Sequence, residues 1–176
     1  MKTAIFVVDM INGFVKEGLM HDENIMKIVP YIQKVLNQVE KKDIYFIADT
    51  HEETAIEFKA FPTHCVKGSN ESAVIDELKD WIVNPIIEKN STNAFHVVDK
   101  ELLDCYDEFV LVGCCSDICV MQFALSLKTY FNQCNSNKKV TVLKDGIATY
   151  HGDGHDRELY HEMALNLMKQ SGISIE

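Results

Sequence analysis

The chain has 176 residues, 47% hydrophobic and 25% charged, the composition expected of one globular domain spanning residues 1–176. Its 17 basic and 27 acidic side chains give a formal charge of -10, which offers no general attraction to phosphate backbones or anionic lipid and disfavours nucleic acid as a partner. No apolar run approaches the roughly 20 residues of a membrane-crossing helix, and Met1 to Asp9 lacks the basic start and cleavage site of a signal peptide, so the expectation is a cytoplasmic protein without membrane contact.

Short β-branched runs alternate with segments of helical period, the pattern of βα units around a parallel sheet. The expected architecture is therefore α/β, three layers (α/β/α) with a central, mainly parallel sheet. A first strand is predicted at about Thr3 to Asp9. An amphipathic helix follows at about Glu23 to Lys41, with Ile25, Ile28, Val29, Ile32, Val35, Leu36 and Val39 on one face and Pro30 as a point of kinking or restart. The second strand is Ile44 to Ala48, followed by a long irregular stretch to about Asn70 and a short helix near Ala73 to Trp81. Further strands are predicted at Pro85 to Glu88, Phe109 to Gly113 and Val140 to Leu143. Between and after them lie helices at about Ile118 to Phe131, with Ser116 and Asp117 as N-cap candidates, and Asp156 to Gln170, ending at Gly172. Ile173 to Ile175 can supply a sixth strand.

Six cysteines are an even number, yet Cys114, Cys115 and Cys119 crowd into one short apolar segment and a chain of this length needs no disulfide staples. Reduced thiols are expected. Structural zinc is not, because no C-x-x-C pair occurs.

In an open α/β sheet, ligands bind outside the carboxyl ends of the strands. Asp9, Asp49, His51, Lys89 and Cys119 all fall at that rim. A cysteine at a helix start near a lysine has its thiolate favoured, and a neighbouring aspartate can take its proton. The same residues also admit a plain structural reading: Cys119 as packing, Asp9 as a strand-end cap and Lys89 as a solvated charge. Asp49 and His51, two apart at a strand end, with a later His64 from the loop and Glu57 between the histidines, can surround a divalent metal ion such as zinc, iron or manganese. Loop histidines that bind nothing remain the alternative. His151, His155 and His161 are read as turn, cap and helix-surface residues, and His51-Glu52-Glu53 is no metalloprotease motif because position 55 is Ala.

Taken together, Val7-Val8-Asp9-Met10-Ile11-Asn12-Gly13-Phe14, Asp49-Thr50-His51, Phe61-Pro62-Thr63-His64, Lys89 with Asn93-Ala94-Phe95, and Gly113-Cys114-Cys115-Ser116-Asp117-Ile118-Cys119 resemble the isochorismatase-like cysteine hydrolases, and within them the nicotinamidase branch. The likeness spans essentially the whole chain. It implies a catalytic triad of Asp9, Lys89 and Cys119, a metal held by Asp49, His51 and His64, and Glu57 as a further ligand, a place that a Ser or water takes in other members. It also implies a cis peptide between Cys114 and Cys115, an oxyanion hole from the backbone N–H groups of Cys115 and Cys119, and a substrate ring held between Phe14 and Phe61. The chain departs from the usual pattern at Ile11 (usually Gln), Gly13 (usually Asp), Phe61 (often Trp) and Ile118 (often Tyr).

The activity implied is hydrolysis of a small carboxamide, nicotinamide to nicotinate and ammonia in NAD salvage, with pyrazinamide as a second substrate. Two alternatives stay within the resemblance: an N-carbamoyl amide hydrolase, which generally lacks the full metal set, and an isochorismatase, which typically lacks the cysteine. A thiol redox sensor is the alternative from another class. Assembly as a homo-oligomer is left open.

Overall fold

The structure is a computed structural model that describes residues 1–176. Strands β1 (Thr3–Val8), β2 (Ile44–Asp49), β3 (Ile87–Lys89), β4 (Glu108–Cys114), β5 (Lys139–Ala148) and β6 (Ser174–Ile175) form one sheet in the order β3-β2-β1-β4-β5-β6. Every neighbouring pair is parallel. A parallel sheet is covered on both faces, which is why its strands read as continuous apolar runs. In β1, Ala4, Phe6 and Val8 enter one core cluster while Ile5 and Val7 enter the other, each cluster holding 22 buried residues.

The helices complete the three layers. On the Phe6 face pack Leu103 of α3 (Lys100–Asp104), Phe123, Ala124, Leu127 and Phe131 of α4 (Met121–Gln133), and Ala164 and Met168 of α5 (Arg157–Gln170). The opposite face takes Phe14 and Val15 of α1 (Asn12–Val15) and Val29, Ile32 and Leu36 of α2 (Val29–Leu36).

Several boundaries differ from the sequence expectation, each for a local reason. The helix expected over 23–41 is a 3-10 helix, Glu23–Ile28, followed by α2, which ends at Leu36. Pro30 has no N–H to donate backwards, so it sits in the first turn of a new helix rather than inside an old one. The segment near 73–81 is likewise a 3-10 helix, Asp76–Trp81. Lys89, expected just past the third strand, is its last residue and pairs with Asp49. β5 continues five residues past its expected end, through the exposed Lys144 and Asp145, and its register against β4 shifts between Leu111 and Gly113.

Gly113 shows what the central pairing demands. Its φ is +119°, and a Cβ there would lie 2.0 Å from the Val8 carbonyl oxygen. Only glycine lets β4 lie this close to β1 at the sheet's carboxyl end.

Candidate active site

The strand order reverses between β1 and β4, since the chain adds β2 and β3 on one side of β1 before returning to the other. Side chains carried past the carboxyl ends of these strands meet in the crevice so made. Asp9 follows β1, Asp49 closes β2, Lys89 closes β3, and β4 leads into a single π-helical turn, Ser116–Val120, that carries Cys119. Asp9 adopts φ +51°, a left-handed conformation uncommon for non-glycine residues. It is held there from three sides: its N–H donates to the Ile47 carbonyl (3.0 Å), its Oδ1 accepts the Asp49 N–H (2.9 Å), and its carbonyl accepts the Cys114 thiol (3.1 Å). The Cys114–Cys115 peptide is cis.

Lys89 is the buried cation of the site. Its Nζ donates to Asp49 Oδ1, lies 2.9 Å from Asp9 Oδ2, and sits 3.7 Å from Cys119 Sγ. Burial alone would lower the lysine pKa, but Asp9, Cys119 and Asp49 outweigh it and hold the ammonium well above its ordinary value. Burial and the Asp49 charge push the Asp9 carboxyl up to about 6 against the pull of Lys89. The Cys119 thiol is also raised by burial, opposed by Lys89. Cys119 Sγ therefore sits beside a carboxylate of raised pKa and a fixed ammonium.

Asp49, His51 and His64 converge on the other side of Asp49. Their candidate ligand atoms all lie within 4.8 Å of one another, and all three residues are buried. His64 Nδ1 is 2.7 Å from the Pro62 carbonyl oxygen, which accepts only from an N–H, so Nε2 carries the lone pair. Asn90 Oδ1 accepts the Glu52 N–H (3.0 Å) and faces His51 Nδ1 at 3.3 Å, again turning Nε2 inward. His51 Nε2 is buried with no hydrogen-bond partner. Two inward imidazole nitrogens beside a carboxylate oxygen are the donor set of a divalent transition metal, and an orphaned buried nitrogen is what such an ion would satisfy. Burial works against a charged His51, but Asp49 and Glu57 outweigh it and raise its pKa.

Above this floor opens a largely apolar pocket lined by Phe14, Met20, Phe61, Thr92, Ile118 and Tyr150 together with Asp49, His64, Cys115 and Cys119. Glu57 lines it too but stands outside the three-residue cluster, in the 3-10 helix Ile56–Lys59, and its buried Oε1 has no hydrogen-bond partner. Phe14 and Phe61 both approach the His64 ring, with centroids 5.7 and 6.3 Å away.

Sequence reasoning missed Met20, Thr92 and Tyr150, which carry no motif, and Asn90, which a search one residue past Lys89 could have found. It also set His155 and His161 aside. His155 is no cap but is buried, with Nε2 2.8 Å from Asp117 Oδ2, and the half-buried His161 of α5 has Nδ1 2.9 Å from Ser116 Oγ. Ser116 and Asp117, expected as N-caps, make no side-chain cap bond and spend their side chains on these histidines instead.

An α/β/α fold with a switch-point crevice holding a cysteine, an aspartate and a buried lysine defines a hydrolase scaffold, and the isochorismatase domain model matches residues 3–175. The chain belongs to the isochorismatase family. It is 26% identical to nicotinamidase 1 of Arabidopsis thaliana, over 98% of this chain and 84% of that protein. An isochorismatase-like hydrolase from Alkaliphilus metalliredigens superposes with a TM-score of 0.81 at 29% identity, covering 99% of this chain and 94% of that one. A pyrazinamidase of Pyrococcus horikoshii, solved in complex with zinc, superposes at 0.76 with 22% identity, covering 100% and 99%.

Proposed function

We propose that this chain is a metal-assisted cysteine amidohydrolase whose substrate is nicotinamide, released as nicotinate and ammonia. The observation that carries the reading is the convergence of two constellations, Asp9-Lys89-Cys119 and Asp49-His51-His64, at the base of one aromatic-walled pocket. A nucleophile alone fits many amides. A set of residues able to hold a metal beside it suits an amide on a ring whose own nitrogen can bind a metal.

Asp9 accepts the Cys119 proton as sulfur attacks the carboxamide carbon, and Lys89 stabilises the thiolate as it forms. The carbonyl electron pair moves to oxygen, which the Cys115 and Cys119 N–H groups hold. The C–N bond breaks and Asp9 returns the proton to the departing ammonia. Water then attacks the thioester, giving Asp9 its proton; the C–S bond breaks, and Cys119 recovers its thiol as nicotinate leaves. Asp49, His51 and His64 would hold one divalent ion, with Glu57 next to them and zinc the first choice; when bound it supplies a Lewis-acid contact that orients the ring. Phe14 and Phe61 confine the ring's faces, a positioning effect. Pyrazinamide keeps a ring nitrogen in the same relation to the amide and is expected to turn over. All six cysteines are free, which suits a reducing cytoplasm and a place in NAD salvage.

The test is ammonia release from nicotinamide by purified protein, before chelation, after it, and with metal restored. Metal-dependent release that Cys119→Ala abolishes supports the reading. Silence from folded, metal-loaded protein overturns the substrate and moves the search to other small carboxamides, while Cys119→Ala at parental rate overturns the mechanism.

A further inference from the structure

The turn that carries Cys119 is gripped from outside by residues no catalytic step uses. Between Cys115 and Cys119 stand Ser116 and Asp117, and each hands its side chain to a histidine: Ser116 Oγ to His161 Nδ1 within α5 at 2.9 Å, Asp117 Oδ2 to His155 Nε2 in the segment entering α5 at 2.8 Å. His155 is the more constrained of the two. Its Nδ1 faces the Tyr150 carbonyl at 3.0 Å, and its ring lies between two tyrosines, with centroids 3.9 Å from Tyr150 (planes 6° apart) and 3.9 Å from Tyr160 (29°). Tyr150 is at the same time a wall of the pocket. One buried imidazole thus fixes the backbone turn of the nucleophile and a side wall of the substrate cavity.

We propose that His155 is a positioning residue for the reaction, holding the Cys115–Cys119 turn through Asp117 and the Tyr150 wall through ring stacking. The proposal rests on Cys119 being the nucleophile and the turn's N–H groups being the oxyanion donors. A rigid turn matters there because donors must sit at the developing oxyanion before it forms, and a side chain whose rotamer is locked by packing and two hydrogen bonds keeps such geometry best. The two contacts are separable by substitution. His155→Phe keeps an aromatic ring between the tyrosines and loses the bond to Asp117. Gln at 155 can still donate to Asp117 and loses the stack.

The expected split is a kcat about tenfold lower for His155→Phe with KM within about twofold of parent, a smaller loss than removal of an oxyanion donor brings. His155→Gln is expected to raise KM severalfold while kcat stays nearer the parent. Asp117→Ala, which leaves the tyrosine stack in place, should repeat the kcat loss and carries the test if His155→Phe does not fold. Amide hydrogen exchange over residues 115–120 supplies a readout independent of any substrate: His155→Phe and Asp117→Ala should speed it while leaving β1 unchanged. If the parent protein does not turn over nicotinamide, the functional reading fails and exchange alone decides this one. Parental kcat in both variants, or unchanged exchange over 115–120, overturns the proposal.

Discussion

Lys89→Met removes the cation that lets two carboxylates share one dry site. In the parent, Lys89, Asp9 and Asp49 are all buried to within 2% of complete exclusion from solvent. Without the ammonium, carboxylate oxygens of Asp9 and Asp49 within 4.8 Å of each other face no cation. At that separation and an effective dielectric of about 20, their repulsion is about 3.5 kcal/mol. Proton uptake by one of them sets a similar ceiling, because keeping a carboxyl of ordinary pKa near 4 protonated at pH 7 costs about 4 kcal/mol. Both figures fall in the range of about 3–5 kcal/mol that breaking a buried pair costs. For a chain of this size that corresponds to a fall in Tm of roughly 6–20 °C.

The pH dependence has a definite sign. With Lys89 gone, the folded state binds a proton at higher pH than the parent, whose Asp9 titrates at about 6. Stability rises on acidification wherever the folded state binds more protons than the unfolded one. The gap between variant and parent should therefore be widest at alkaline pH and narrow towards pH 5. Urea unfolding of chelated protein at pH 8, 6.5 and 5 measures it. A loss below about 1 kcal/mol at pH 8, or a gap that widens on acidification, would refute this account of the site's electrostatics.

The remaining predictions concern the scaffold. Asp22 caps the 3-10 helix at Asn24, accepts the His151 N–H at 2.9 Å and pairs with Arg157, and although burial opposes it, these bonds hold its carboxyl below the usual range. Its contribution, about 1–2 kcal/mol, is fully present above the ordinary carboxyl range and shrinks as pH falls below about 4 towards the depressed folded-state value, so Asp22→Asn should be less stable than parent at pH 7 and the gap should narrow steadily on acidification below about pH 4; parallel urea-midpoint curves would sink the assignment. Gly113→Ala, with its Cβ 2.0 Å from Val8 O, should cost more than about 4 kcal/mol or prevent soluble expression, read by yield and thermal melt. A Cβ on Gly13 would lie 2.5 Å from Cys65 Sγ, so Gly13→Ala should destabilise and Cys65→Ala in the same chain should recover part of the loss; strict additivity in the melts of the double-mutant set would contradict that contact.

Much of the fold was legible because parallel strands buried on both faces must be apolar throughout, as β1 and β4 are. The rim residues were legible for a related reason: a charged side chain directly after such a run has only the sheet's carboxyl edge to occupy. What failed was whatever depended on partners distant in sequence. His155 and His161 find theirs 38 and 45 residues upstream, and nothing in His155's own surroundings distinguishes a buried clasp from a cap. β5, expected to end at Leu143, runs on through Lys144 and Asp145, which stay exposed on a strand whose ladder resumes at Ile147. Glu57, placed with the metal ligands by spacing and by the resemblance, lies on a 3-10 turn beside the three-residue cluster.

The departures of the opening segment at Ile11 and Gly13 have a structural counterpart in residues 65–75. Asn12 N–H donates to the Ala73 carbonyl (2.9 Å), Ile75 N–H to the Met10 carbonyl (3.1 Å), and Ile11 bridges Val74 in antiparallel fashion. Backbone bonds of this kind leave the side chain at 11 free to pack, and Ile11 is fully buried in the core. At 13 the space beside the backbone is taken by Cys65 Sγ and by Glu71, whose Oε2 accepts the Cys65 N–H at 2.9 Å. Cys65 directly follows His64 and itself sits at φ +46°. The strut that fills the place of a side chain at Gly13 is thus the one that fixes the backbone of a candidate metal ligand, and the pocket wall at Phe14 and the imidazole of His64 are positioned together.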